Sequence, residues 1–87
     1  MKIREGFVVR EIAGESVVIA LGKASKFFNG MIKLNETGRL IWDGLAAGKE
    51  KMQIIESILA EYDVEQSVIE ADYEKFISTL KGANVLE

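Results

Sequence analysis

The 87-residue chain contains no cysteine, no histidine and no proline. Without cysteine there are no disulfides, no thiolate metal ligands and no thiol nucleophile. Without histidine, three more things are lost: the commonest general base, the usual partner of a nucleophilic serine, and the main nitrogen donor to zinc or iron. A carboxylate-only magnesium or calcium site survives as chemistry, but the acids and glycines do not fall at EF-hand spacing. No P-loop occurs, and no GxGxxG follows a strand. Neither an enzyme nor a cofactor or metal is expected from this inventory. Long apolar runs are also missing, none approaching the roughly 18–20 residues that span a bilayer. The opening Met-Lys-Ile-Arg-Glu-Gly lacks the apolar stretch and cleavage site of a signal peptide. The default expectation is a cytoplasmic protein with no membrane partner.

What is present suffices for a fold. Hydrophobic residues make up 48% of the chain and charged residues 29%, so disorder is not expected. The length fits one domain over residues 1–87, burying roughly 60–65% of the surface its unfolded chain exposes. Phe7 to Ile12 is dense in β-branched and aromatic residues, with Val8 and Ile12 flanking Arg10 at period two. Ala13-Gly14-Glu15 supplies a turn. Ser16 to Leu21 is nearly all apolar and suits a central strand, paired with the first as an antiparallel hairpin. A charged connection, Gly22 to Phe27, leads to a third strand over Phe28 to Leu34. There Gly30, Ile32 and Leu34 share one face, and Met31 and Lys33 the other.

From Asn35 the period becomes helical. Asn35 is a good N-cap, Glu36 suits the positive end of the helix dipole, and Gly48 is a stop. Leu40, Ile41 and Leu45 form the apolar stripe of this helix, with Trp42 expected in the core. A second helix is predicted over Glu50 to Tyr62, its stripe being Met52, Ile55, Leu59 and Tyr62, widened by Ile54 and Ile58. No Ser or Thr caps its start. The third runs from near Glu65 to near Lys81, with Ile69, Tyr73, Phe76, Ile77 and Leu80 inward. Val85 and Leu86 read as an apolar tail folding back. The order β-β-β-α-α-α predicts an α+β fold, with three helices packed on one face of a three-stranded antiparallel sheet.

Two features bear on function. The third strand can be left outermost, as a row of unpaired N–H and C=O groups with little defence beyond Lys26 and Lys33. Such an edge is either a docking site for a partner strand or an ordinary edge blunted by shortness and lysine. On the third helix, Asp72, Lys75 and Thr79 lie three and four residues apart beside Phe76, a polar strip able to line a groove. The shape also suggests a winged helix, but its charge argues against nucleic acid. The net charge is −3, and the helix that would read DNA, with its lead-in, carries Glu61, Asp63, Glu65, Glu70, Asp72 and Glu74 against Lys75 and Lys81.

The run from Phe28 through Asn29-Gly30, Leu34-Asn35-Glu36-Thr37-Gly38 and Ile41-Trp42 resembles the signature of the PqqD-like family. Glu61-Tyr62-Asp63-Val64 and Ala71-Asp72-Tyr73 with Phe76 and Leu80 match it as well. The resemblance implies a winged-helix-like peptide chaperone, the recognition element of ribosomally synthesised peptide pathways. Its partners would be a precursor's leader peptide and a modifying enzyme, commonly a radical S-adenosylmethionine enzyme. The leader would add as an antiparallel strand to the third strand, in a cleft closed by the third helix. Carried onto this chain, the docking edge is Phe28, Asn29, Gly30, Met31, Ile32 and Lys33, and the cleft wall is Asp72, Lys75, Phe76 and Thr79. Backbone groups of Gly30 and Ile32 are expected to bond the guest, with apolar contact from Met31 and Phe76. Lys33 and Lys75 would favour acidic leader residues, and Asp72 a basic or polar one. Because the sequence ends soon after the third helix, a stand-alone module is expected. The same edge would also suit an adaptor or a homodimer.

Overall fold

A computed structural model describes residues 2–26, 28 and 30–87. Strands β1 (Phe7–Ile12), β2 (Glu15–Ala20) and β3 (Ile32–Leu34) form an antiparallel sheet in the order β1-β2-β3. Helices α1 (Glu36–Ala46), α2 (Lys51–Glu61) and α3 (Gln66–Gly82) follow. The α+β order predicted from sequence is therefore the observed one.

The hairpin is set by its turn. Ala13 and Gly14 both have positive φ, 53° and 81°, as a two-residue type I′ loop requires. Ile12 pairs with Glu15, and the register then runs back to Phe7 opposite Ala20. Because side chains alternate, Phe7, Val18 and Leu34 fall on the face that packs against the helices. Val8, Arg10 and Ile12 fall on the other.

The third strand is shorter than predicted. Phe28 and Met31 have no regular structure and Gly30 sits in a bend, so pairing with β2 begins only at Ile32. The reason lies in Phe28, whose half-buried ring packs towards Phe7 at 6.5 Å between centroids. A Cβ on Gly30 would come within 3.1 Å of that same ring. With that ring lying over Gly30 the chain bends there, and pairing starts only beyond the bend. The connection before it is not a plain loop either: Gly22–Lys26 is a 3-10 helix that buries Ala24. Phe27 and Asn29 lie outside the described residues.

Each helix starts where local chemistry allows. The Asn35 side chain accepts a 2.7 Å bond from the Gly38 amide. At α2, which has no Ser or Thr cap, the Glu50 amide instead donates to Gln53 Oε1 at 2.8 Å, which meets one of the orphan donors. The core joins Ile41, Trp42 and Leu45 of α1, Ile54, Ile55 and Ile58 of α2, and Ile69, Tyr73, Ile77 and Leu80 of α3. Met52 does not belong to it. It is exposed, because the buried line of α2 runs through Ile54, Ile55 and Ile58 and turns Met52 outward. The tail does fold back as expected: Val85 and Leu86 are buried, and Leu86 bridges Ile3.

Candidate functional site

β3 is an edge strand, and the hairpin register decides which of its backbone groups are free. A type I′ turn closes on a bond from the Glu15 amide to the Ile12 carbonyl. Odd-numbered residues of β2 thus point their N–H and C=O at β1. The Leu21 amide keeps this phase, donating to Gly6 O at 2.8 Å. Even-numbered residues face β3, where Ser16 opposes Leu34 and Val18 opposes Ile32. Ile32 and Leu34 therefore turn their backbone groups to β2, and Lys33 turns its own to the open side. This corrects the expectation that Ile32 offers its backbone to a guest. Lys33 is the β3 residue whose backbone groups turn away from β2.

A groove of about 820 Å³ lies beside this strand, within the size range of ligand clefts. Lys33 and Leu34 line one side of it, and Asp72, Lys75, Phe76 and Thr79 of α3 also line it. The first turn of α1 contributes Gly38 and Arg39. At Gly38 a Cβ would be 3.6 Å from the Phe76 ring and 3.8 Å from Leu34, so strand, α1 and α3 converge at this buried residue. Phe76 is half-buried and packs on the core. Of the residues picked out in the sequence, Ile32 and Phe28 also pack on the core from partly buried positions, while Gly30 and Met31 are exposed. Phe28, Gly30, Met31 and Ile32 do not line the groove. Asn29 lies outside the described residues.

The charges around the groove differ in how they are held. Lys33 Nζ is 3.5 Å from Glu15, between two exposed side chains. The Arg39 guanidinium is more tightly held. Its Nε donates to both Asp43 oxygens at 3.0 and 3.2 Å, and its Nη1 to Glu11 Oε1 at 2.9 Å and Ser16 Oγ at 3.1 Å. Asp43 and then Glu11 raise its pKa above the usual arginine value, so it is a fixed cation joining α1 to the hairpin. Asp72 and Lys75, in contrast, form no ion pair among the described residues. Thr79 donates its hydroxyl to the Lys75 carbonyl at 3.1 Å. The groove thus offers an apolar floor of Leu34 and Phe76, two opposite charges on one wall, and a backbone edge.

Arg39, Ser16 and Gly38 are not among the site residues expected from the sequence. Their signal was the single residue, Asn35, separating β3 from α1, which forces the first turn of that helix to close one end of the strand. A smaller cavity of about 210 Å³ lies between α1 and α2, below the usual ligand-site range. Among the described residues no cluster of metal-ligating side chains occurs, and no helix is long and apolar enough to cross a membrane.

Comparison with solved structures finds the same fold in two peptide complexes. "TbiB1 in Complex with the TbiA(beta) Leader Peptide" matches with a TM-score of 0.79 and 31% identity, over 100% of this chain and 95% of that one. "Lasso peptide synthetase B1 complexed with the leader peptide" matches with a TM-score of 0.75 and 22% identity, over 98% of this chain and 93% of that one. Comparison with curated protein sequences gives no match. The family model described as "Coenzyme PQQ synthesis protein D (PqqD)" matches residues 15–86, a span that includes β2, β3 and all three helices, and the chain belongs to that family.

Proposed function

We propose that this protein is a non-enzymatic recognition domain that binds the leader segment of a ribosomal precursor peptide and presents it to a modifying enzyme. The observation that carries the reading is the backbone of Lys33, which has no partner among the described residues, at a sheet edge bordering a groove whose other wall is α3. An extended guest antiparallel to β3 would bond the outward groups of Lys33, so that main-chain bonds supply affinity without regard to sequence. Selectivity would come from the side chains. Leu34 and Phe76 take an apolar guest residue, Lys75 favours an acid nearby, and Asp72 favours a base or a polar group. Thr79 borders the same wall, and Gly30 and Phe28 form the approach to the strand.

The two solved relatives, both titled as complexes with leader peptides, support a peptide guest. The family resemblance points to a radical S-adenosylmethionine enzyme as the consumer, while one relative is a lasso peptide synthetase B1. Handing a leader to a processing enzyme is common to both. Strand addition over so short an edge fits an affinity of roughly micromolar to submicromolar Kd. Calorimetric titration of the leader into the wild type and a Lys75→Glu variant tests the site. Binding should weaken for leaders with an acid at that position and strengthen for a basic replacement. Equal affinity of both proteins for both peptides would remove α3 from the site.

A further inference from the structure

The sheet has a second face that the groove leaves unused. By register, Val8, Arg10 and Ile12, then Glu15, Val17 and Ile19, then Lys33 point away from the helices. Ile12 is 50% exposed, and Val8 and Ile19 are half-buried. Val17 is only 3% exposed, yet it is no part of the helix-packed core. Its direct cross-strand neighbours are Arg10 and Lys33, long side chains whose aliphatic stems can shelter it while their charges reach water. The patch is apolar at the centre, with Arg10 on one side and, on the other, Lys33 in an exposed ion pair with Glu15 of the same face, so two cations against one acid leave it a net of +1.

The charge of the whole chain divides the same way. Residues 1–34, which hold the sheet, carry six Lys or Arg and three Asp or Glu, a net of +3. Residues 35–87, which hold the helices, carry five and eleven, a net of −6. A partner approaching the sheet therefore meets a positive field, and one approaching the helices a negative field. Contiguous apolar surface with a polar rim is the anatomy of a protein interface, and complementary charge sets its partner. A two-fold pairing of copies would bring two net-positive faces together, which gives less charge complementarity than an acidic partner offers.

We propose that the outer sheet face docks the processing enzyme, through a patch on that enzyme that is apolar at its centre and acidic at its border. This rests on the peptide-holding function and adds the surface by which the consumer is recognised. Lys33 links the two sites. Its backbone faces the open edge while its side chain lies on the outer face, so an enzyme seated there is next to the guest strand.

The test uses the full chain carrying Ile12→Asp and Arg10→Glu, both at solvent-facing positions, with Ile12→Thr as a milder second variant. Leader affinity is measured by calorimetry, and affinity for the purified processing enzyme with the leader bound is measured separately. Leader Kd should stay within about twofold of wild type, while enzyme affinity drops by about tenfold or more in the double variant. Raising the salt concentration should weaken the wild-type complex with the enzyme more than the Arg10→Glu complex. Folded variants that bind the enzyme as wild type does would overturn the docking assignment and leave the groove reading intact. A wild type that ignores the leader would sink both. Self-association of the wild type that the variants abolish would give the face to a second copy and refute the proposal as well.

Discussion

Replacing Lys33 and Ile32 by proline, one at a time, should separate binding from folding. Adjacent residues of a strand turn their amides to opposite sides, and the register gives Ile32 to β2 and Lys33 to the open edge. Lys33→Pro removes one outward donor, worth about 1 kcal/mol net, or about fivefold in affinity. The ring also occupies the space where the guest backbone must approach, so a loss of about tenfold or more in leader affinity is expected. Lys33→Ala keeps the amide and separates the charge, whose ion pair with Glu15 is exposed and contributes little. Ile32→Pro acts elsewhere. It breaks a bond to β2 and removes a half-buried side chain packed on the core, a loss of about 3 kcal/mol or more from a total of roughly 5–15. Paired measurements of melting temperature and leader Kd should therefore move in opposite patterns along the strand: Lys33→Pro binds poorly and melts near wild type, and Ile32→Pro melts early. If Lys33→Pro binds as Lys33→Ala does, the free edge is not where the guest docks.

Other perturbations read the scaffold. Gly44→Ala places a methyl 2.5 Å from Ile54 Cγ1, and this overpacking should cost about 1–3 kcal/mol in urea denaturation. Ile54→Ala should then be less harmful in that background than alone. Trp42→Ala, at a residue 4% exposed, should cost about 3–5 kcal/mol and leave little folded protein at elevated temperature by circular dichroism. Asn35→Ala removes the cap bond to Gly38 and should cost about 1 kcal/mol, with weaker leader binding because that turn closes the groove. Between pH 6 and 9 the melting temperature should be nearly flat, because the chain has no histidine. Above the ordinary tyrosine pKa of about 10 it should fall. Burial raises the Tyr73 pKa in the folded state, so the unfolded chain loses its proton first and stability is lost as pH rises towards the folded value. Tyr73→Phe should shallow that fall. The hydrogen bond to Glu36 raises the Tyr62 pKa and acts in the same direction.

The amino-acid sequence by itself determined the element order and most of the core. Period-two and helical patterns are local, and Ala13-Gly14, Asn35 and Gly48 mark their boundaries through turn and cap chemistry that depends only on neighbours in the chain. The polar strip of Asp72, Lys75 and Thr79 was visible for the same reason, since residues three and four apart share a helix face. What the strip faces, how far β3 extends and which of its amides is free depended on contacts between distant segments. Phe28 leaves the strand because Phe7 and Gly30 receive its ring, and Met52 turns outward because the face buried on α2 depends on which helices it meets. The free amide at Lys33 follows from a turn twenty residues earlier that sets the phase of the whole ladder. Pairing phase belongs to the assembled sheet, so no window of residues around Lys33 could have supplied it.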